Sequence, residues 1–176
     1  MVIPDGVAAL HQARRVVQFA DANGIRVIHV QHVLPAGAPL FAQGSVNAAF
    51  HRDMQPRKGE AVVQKDNVSV FAGASAAVLD KALKDAGIDT LIVTGLQTHA
   101  CVAGAARDAA AAPRGYRVIV ASDATASRDL DLASGQKIGH RALHEASLAQ
   151  IEDAFGDVVT TDALLALPVH KAGDGA

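Results

Sequence analysis

The sequence predicts an α/β fold of three layers, with helices on both faces of a mainly parallel sheet. Two observations carry that prediction. Apolar strand-like runs alternate with amphipathic helix patterns along most of the chain, as in parallel sheets joined by helical crossovers. The runs TLIVT (90–94) and YRVIVA (116–121) are mostly apolar rather than alternating, as strands covered on both faces are. With 176 residues, half of them apolar, a single domain over 1–168 can bury a sizeable core, and 169–176 reads as a frayed tail.

The elements follow in order. Leu10, Val16, Val17 and Ala20 recur at helical spacing over 7–23, with Pro4-Asp5-Gly6 as turn and cap before it and Asn23-Gly24 as stop. IRVIHVQHV (25–33) reads as a buried strand, and 35–60 as a long Pro- and Gly-containing loop. A short strand, 61–64, ends at Lys65; a helix over 74–86 closes at Gly87. Strand 90–94, a helix over about 100–112 and strand 116–121 come next. The stretch 134–155 reads as largely helical with a break near Gly139, then a short strand at 157–160 and a turn of helix at 162–167. One irregularity stands out. Helix 7–23 precedes every strand, whereas a helix covering a parallel sheet crosses between two strands. The pattern reads as one whose first strand is missing from the sequence: either it lies upstream of Met1, or the chain is a genuine variant without it and something else, such as a partner chain, fills the gap.

Composition narrows the partners. Sixteen basic and 18 acidic residues give a net charge of −2, with no basic face and few aromatics, so nucleic acid is not an expected partner. No apolar run approaches the ~20 residues that cross a bilayer, and residues 1–6 lack signal-peptide character. A lone cysteine excludes an internal disulfide and fits a reducing compartment. A soluble cytoplasmic protein acting on a small molecule is the expectation.

In parallel sheets, ligands lie at the carboxyl ends of the strands, so residues that follow strands directly carry the chemistry. Two places qualify: Lys65, and Gly95 to Cys101. Cys101 falls in the first turn of the helix after strand 90–94, where unpaired backbone N–H groups and the helix dipole favour a thiolate. The same N–H groups suit an oxyanion. On position alone Cys101 is equally a small buried hydrophobe, and Lys65 alone reads as a solvated surface lysine.

The block GIDTLIVTGLQTHACV resembles the strand, turn and nucleophile helix of the isochorismatase-like cysteine hydrolases, a superfamily of Rossmann-like α/β/α proteins. QKDNVSVFAGASAAVLDKALKDAGIDT is similar to that family's lysine loop and following helix. GYRVIVASDATASRD and HEASLAQIEDAFGDVVTTDALL match in type and order, so the resemblance spans residues 2–165. It implies Cys101 as nucleophile and Lys65 as the cation that stabilises its thiolate. It also implies a non-proline cis peptide between Leu96 and Gln97. The N–H groups of Gln97 and Cys101 would then form an oxyanion hole, in which one donor is worth roughly 10²–10³ in rate. A homo-oligomer, dimer or larger, is implied as well, with loop 35–60 as interface or lid.

The third member of the family's triad is an aspartate ending the first strand, and this sequence has no such strand. Asp53-Met54-Gln55 imitates its Asp-x-Gln triplet but sits in the long loop. Asp66 reads as solvated and Asp123 as a turn residue. Loss of the acid would cost roughly 10²–10⁴ in rate. Among the histidines, His99 lies two residues from Cys101 and is placed as a pocket-wall or substrate-contact residue rather than its base. His29 and His32, three apart on a strand, point to opposite faces and do not form a metal pair; no metal or cofactor is expected, which argues against a nicotinamidase. His144 reads as structural or interfacial. Phe41, Phe50 and Phe71 are candidate pocket aromatics.

The expected activity is therefore hydrolysis of a small amide or related C–N bond through a Cys101 thioester. The alternatives are a catalytically impaired member acting as a binding or assembly module, and a vinyl-ether hydrolase of isochorismatase type. Redox use of the lone thiol ranks last, since no second cysteine is present to resolve it.

Overall fold

The computed structural model describes residues 2–169. The expected tail, beyond Val169, lies outside the described residues. The chain forms a three-layer α/β/α arrangement with five α-helices and seven strands among the described residues. Its order is α1 (Gly6–Asn23), β1 (Ile28–His32), β2 (Ala61–Lys65), α2 (Ala74–Asp85), β3 (Thr90–Leu96), α3 (Ala103–Ala110), β4 (Arg117–Ala126), β5 (Leu130–Asp131), β6 (Lys137–Ile138), α4 (His140–Ala154), β7 (Asp157–Val159) and α5 (Thr161–Leu165).

The parallel strands come as two sheets rather than one. β1 and β2 pair in parallel, with Ile28 opposite Ala61 and His32 opposite Lys65. β3, β4 and β7 form a second parallel sheet in that order. No strand joins the two among the described residues. The pieces are held together by a common helical layer. Leu79 and Leu83 of α2, Ala106 and Ala109 of α3 and Ile151 of α4 share one core cluster with Ile28, Val63, Leu91, Val93, Val118, Val120 and Val158. The opposite layer, α1 and α5, covers only the three-stranded piece: Ala13, Val16 and Leu164 pack on Ile92, Ile119, Ala121 and Val159.

Burial follows from this division. β4 is buried along most of its length, as a strand flanked on both sides should be. β3 is apolar too, yet Leu91, Ile92 and Val93 are each only partly buried. On β1, Val30 is 41% exposed although its registered neighbour Val63 is 5% exposed. Each of these two strands has a strand neighbour on one side only.

Three sequence readings change. Residues 134–139 are not helical: β5 and β6 form a small antiparallel hairpin, and α4 starts at His140, whose backbone N–H and ring Nδ1 both meet Asp129 Oδ1 (2.7 and 2.9 Å). Strand-like IRVIHVQHV contributes only Ile28–His32 to the ladder. Asp5 precedes α1 but makes no side-chain cap; its carboxylate lies 3.4 Å from His140 Nε2 instead.

At the amino ends of β1 and β2 a charged cluster ties the two-stranded piece to α1. Arg57 donates from Nη2 to Asp21 Oδ1 (2.6 Å) on α1 and from Nε to Glu60 Oε1 (2.9 Å). Glu60 Oε2 also accepts from the Arg57 backbone N–H (2.6 Å) and meets His29 Nε2 at 2.9 Å. The Arg57 hydrogen bonds, then partnership with His29, hold the Glu60 carboxyl down at about 2. Because the folded value lies below the unfolded one, this stabilisation is full above the ordinary glutamate range and disappears as pH falls from about 4.5 to about 2. Glu60→Gln is therefore expected to flatten the acid limb of a thermal-melting-against-pH curve in that window, leaving its shape near neutrality unchanged.

Gly156, between α4 and β7, supplies a second test. A Cβ there would stand 2.4 Å from the Val118 carbonyl oxygen and 2.9 Å from Val118 Cβ. Both atoms belong to Val118 of β4, which is 1% exposed. Gly156→Ala should lower stability by about 1–3 kcal/mol, read by chemical denaturation.

Candidate active site

Lys65 closes β2, and its side chain is 6% exposed by whole-residue area. Its Nζ donates to the carbonyl oxygens of Asn67 (2.7 Å) and Val68 (2.8 Å), which belong to the turn directly after the strand. The same nitrogen lies 3.2 Å from Cys101 Sγ and 3.2 Å from His32 Nδ1. The turn is shaped by Gly73, whose φ of +65° puts its α-carbon against the Asn67 side chain; a Cβ would come within 2.4 Å of Asn67 Nδ2. Packing of the nearby Val70, Phe71 and Leu79 into the main core fixes the loop from beneath.

Cys101 is partly buried and lies in the turn after the next strand, β3. It is not in the first turn of an α-helix as the sequence suggested. Residues Thr98–Val102 form a single π turn, and α3 starts only at Ala103. Gln97 O accepts from both Ala100 N–H (3.1 Å) and Val102 N–H (3.2 Å), which widens the turn by one residue. The peptide between Leu96 and Gln97 is cis. Thr98, fully buried, anchors the turn to α4: its Oγ1 lies 2.8 Å from His144 Nδ1. His144 thus has a structural partner, and burial lowers its ring below the ordinary imidazole range.

His32 is the residue that sequence reading missed. It was weighed only as half of a metal pair with His29. The two do diverge: His29 turns to Glu60 and packs edge-on to Phe50, with ring centroids 5.7 Å apart. His32 turns to Lys65. The signal lay in the register, since both residues end adjacent parallel strands and face each other. The His32 ring stacks on Phe41 at 4.7 Å and 13°. Phe41 adopts φ +55°, uncommon for an aromatic residue, and is pinned by Leu34 N–H to its carbonyl (2.8 Å). Burial, then the Lys65 charge, pushes His32 below the usual imidazole range. A neutral ring can present Nδ1 as an acceptor to the ammonium while Nε2 carries the proton.

The remaining sequence candidates divide. His99 projects from the π turn to Ser127 Oγ (3.0 Å), and burial followed by the charge of Arg128 lowers its ring. Phe41 reaches the site through His32. Phe71 does not: it is 6% exposed, packs against Tyr116 and lies under the Arg114 guanidinium, so it is core rather than pocket wall. Phe50 lies against His29 on the other face of β1. Asp53 sits in an exposed 3₁₀ turn beside His51, Asp66 accepts from the Asn67 amide, and Asp123 receives the Thr161 N–H and hydroxyl (both 2.7 Å) at the start of α5. Among the described residues, the hydrogen bonds and ion pairs of Lys65 and Cys101 include no carboxylate. No group of three His, Cys, Asp or Glu side chains that could hold a metal ion comes together there either. The lining of one surface depression, Val2, Pro4, Leu40, Arg128 and Asp129, includes the chain neighbours of Phe41 and Ser127.

Thr98→Val keeps the shape of the π-turn anchor and removes its hydroxyl. The half-buried His144 nitrogen loses its partner, so a loss of about 1 kcal/mol is expected in chemical denaturation.

The comparisons with known proteins agree with the fold. Residues 2–163 match the model of the isochorismatase domain. The chain is 31% identical to a maleamate amidohydrolase of Pseudomonas putida, over 97% of this chain and 79% of that protein. It is 37% identical to a secreted isochorismatase effector of Verticillium dahliae, over 77% of this chain and 66% of that protein, and so spans just under two thirds of the effector's length. A solved isochorismatase structure from Pseudomonas putida superposes with a TM-score of 0.82 at 28% identity, covering 92% of this chain and 79% of that one. No helix among the described residues is long and apolar enough to cross a membrane. A strand-end lysine set against the cysteine of a strand-to-helix turn, on this fold and over this length of match, makes the chain a member of the isochorismatase family of hydrolases.

Proposed function

We propose that the chain cleaves a small amide or related C–N bond through a thioester on Cys101. The observation that carries this reading is the Lys65 ammonium 3.2 Å from the only sulfur able to act as a nucleophile, in a half-open site at the carboxyl ends of β2 and β3. A cation at that distance, shielded from water, favours the thiolate over the thiol. The thiolate adds to the amide carbonyl, and the resulting oxyanion is received by the backbone N–H groups of Gln97 and Cys101. The thiol's proton has passed to solvent; collapse breaks the C–N bond, and the leaving amine takes its proton from solvent in turn. Water then attacks the thioester, releasing the carboxylic acid and the free cysteine. The likeness to a maleamate amidohydrolase favours an amide over a vinyl ether.

A second reading is a chain that binds small amides without turning them over. The lack of a carboxylate on Lys65 or Cys101 among the described residues favours it, since the proton for the leaving amine would have to come from solvent. Alkylation and turnover separate the two. With iodoacetamide at neutral pH, Cys101 should react at least about tenfold faster in the unmodified chain than in Lys65→Ala, the equivalent of about 1.4 kcal/mol of thiolate stabilisation. Ammonia release from maleamate and a panel of small amides should fall to background in Cys101→Ala. Fast, Lys65-dependent alkylation without ammonia release supports the binding reading; ordinary alkylation that ignores Lys65→Ala removes the nucleophile assignment.

A further inference from the structure

Four acceptors surround the Lys65 Nζ, but an ammonium has only three N–H groups. The two shortest contacts, to the carbonyls of Asn67 and Val68, are set by the turn that follows β2 and take two of the three. The third N–H lies between two candidates at the same 3.2 Å: Cys101 Sγ and His32 Nδ1. We infer that His32 is a positioning residue for Lys65, whose Nδ1 takes this third N–H whenever the sulfur is capped and yields it when the sulfur is a thiolate. The inference rests on the hydrolase reading in one respect, that Cys101 becomes acylated during turnover.

The physical argument concerns the change in the sulfur. As a thiolate it carries a full charge and is a strong acceptor for the ammonium. As a thioester it is uncharged and a weak one. A nearly buried ammonium that lost its third partner at that step would be left with an unsatisfied donor. His32 supplies the alternative without any movement of β2. Its backbone is held in the β1–β2 ladder opposite Lys65, and its ring is held flat on Phe41. The charged groups that act on it are Lys65 and Asp66, and with burial and Lys65 both opposing protonation the ring is neutral, as an acceptor must be. Lys65 then stays in place through the acyl stage, ready to stabilise the thiolate when water releases it.

The test needs no substrate. Iodoacetamide caps Cys101 when the thiolate displaces iodide and forms a C–S bond, leaving an uncharged thioether sulfur. Melting temperature is measured before and after capping in the unmodified chain, in His32→Phe, which keeps the stack on Phe41 but has no acceptor, and in His32→Asn, whose side-chain oxygen lies near the position of Nδ1. Capping is expected to lower the melting temperature by about 4 °C more in His32→Phe than in the unmodified chain. His32→Asn is expected to behave as the unmodified chain does. Equal capping shifts in all three overturn the inference, as does a normal His32→Phe beside a defective His32→Asn, which would assign His32 to the stack alone. His32→Leu is measured alongside as a second acceptor-free variant in case His32→Phe does not fold. The cycle of Cys101→Ala with each variant repeats the comparison without alkylation. Failure of the hydrolase reading shows separately, as slow alkylation that Lys65→Ala does not alter.

Discussion

The organisation of this protein depends on the need to keep one lysine ammonium satisfied at a nearly water-free position. A cation 6% exposed is costly unless nearby groups replace its hydration. Here the replacements come from three separate parts of the chain. The turn after β2 supplies two carbonyls, the end of β1 an imidazole, and the turn after β3 a sulfur. Each of these parts has to be held within a few tenths of an ångström. The β1–β2 register, the glycine at 73 and the anchored π turn do that holding.

The π turn links the reactive sulfur to the fold. A regular α-helical start at Thr98 would have closed its ladder one residue earlier. The wider turn instead sends the Val102 N–H to Gln97 O and lets α3 begin beyond Cys101. Thr98 fastens the front of the turn to His144 on α4, and Val102 at its back enters the core shared by α2, α3 and α4. The cysteine is thereby carried by a short, doubly anchored segment rather than by a free loop. The neighbouring His99 is committed to Ser127 and the end of β4.

Much of this was legible in the residues. The alternation of helix and strand patterns marked the layers; strand-end position drew notice to Lys65 and Cys101, but only the family resemblance made them a reactive pair. Periodicity could not reveal the π turn, because the five residues THACV are too few to tell a π period from an α one. The hairpin at 130–138 was hidden because Leu130, Asp131, Lys137 and Ile138 make a ladder too short to show alternation. His32 escaped for another reason: its role depends on which residue lies across the ladder, and pairing register is not written in either strand alone. Phe71 was misplaced because an aromatic in a loop-like stretch looks the same whether it faces solvent or core. The Arg57, Asp21 and Glu60 cluster combines groups 36 residues apart, which no local pattern discloses.

The pairing of β1 with β2 has a mechanical consequence. His32 and Lys65 occupy paired positions at the end of that ladder. A slip of one residue would turn the lysine to the opposite side of the sheet and part its ammonium from both the imidazole and the sulfur. The reactivity of the thiol is thereby geared to the alignment of two five-residue strands.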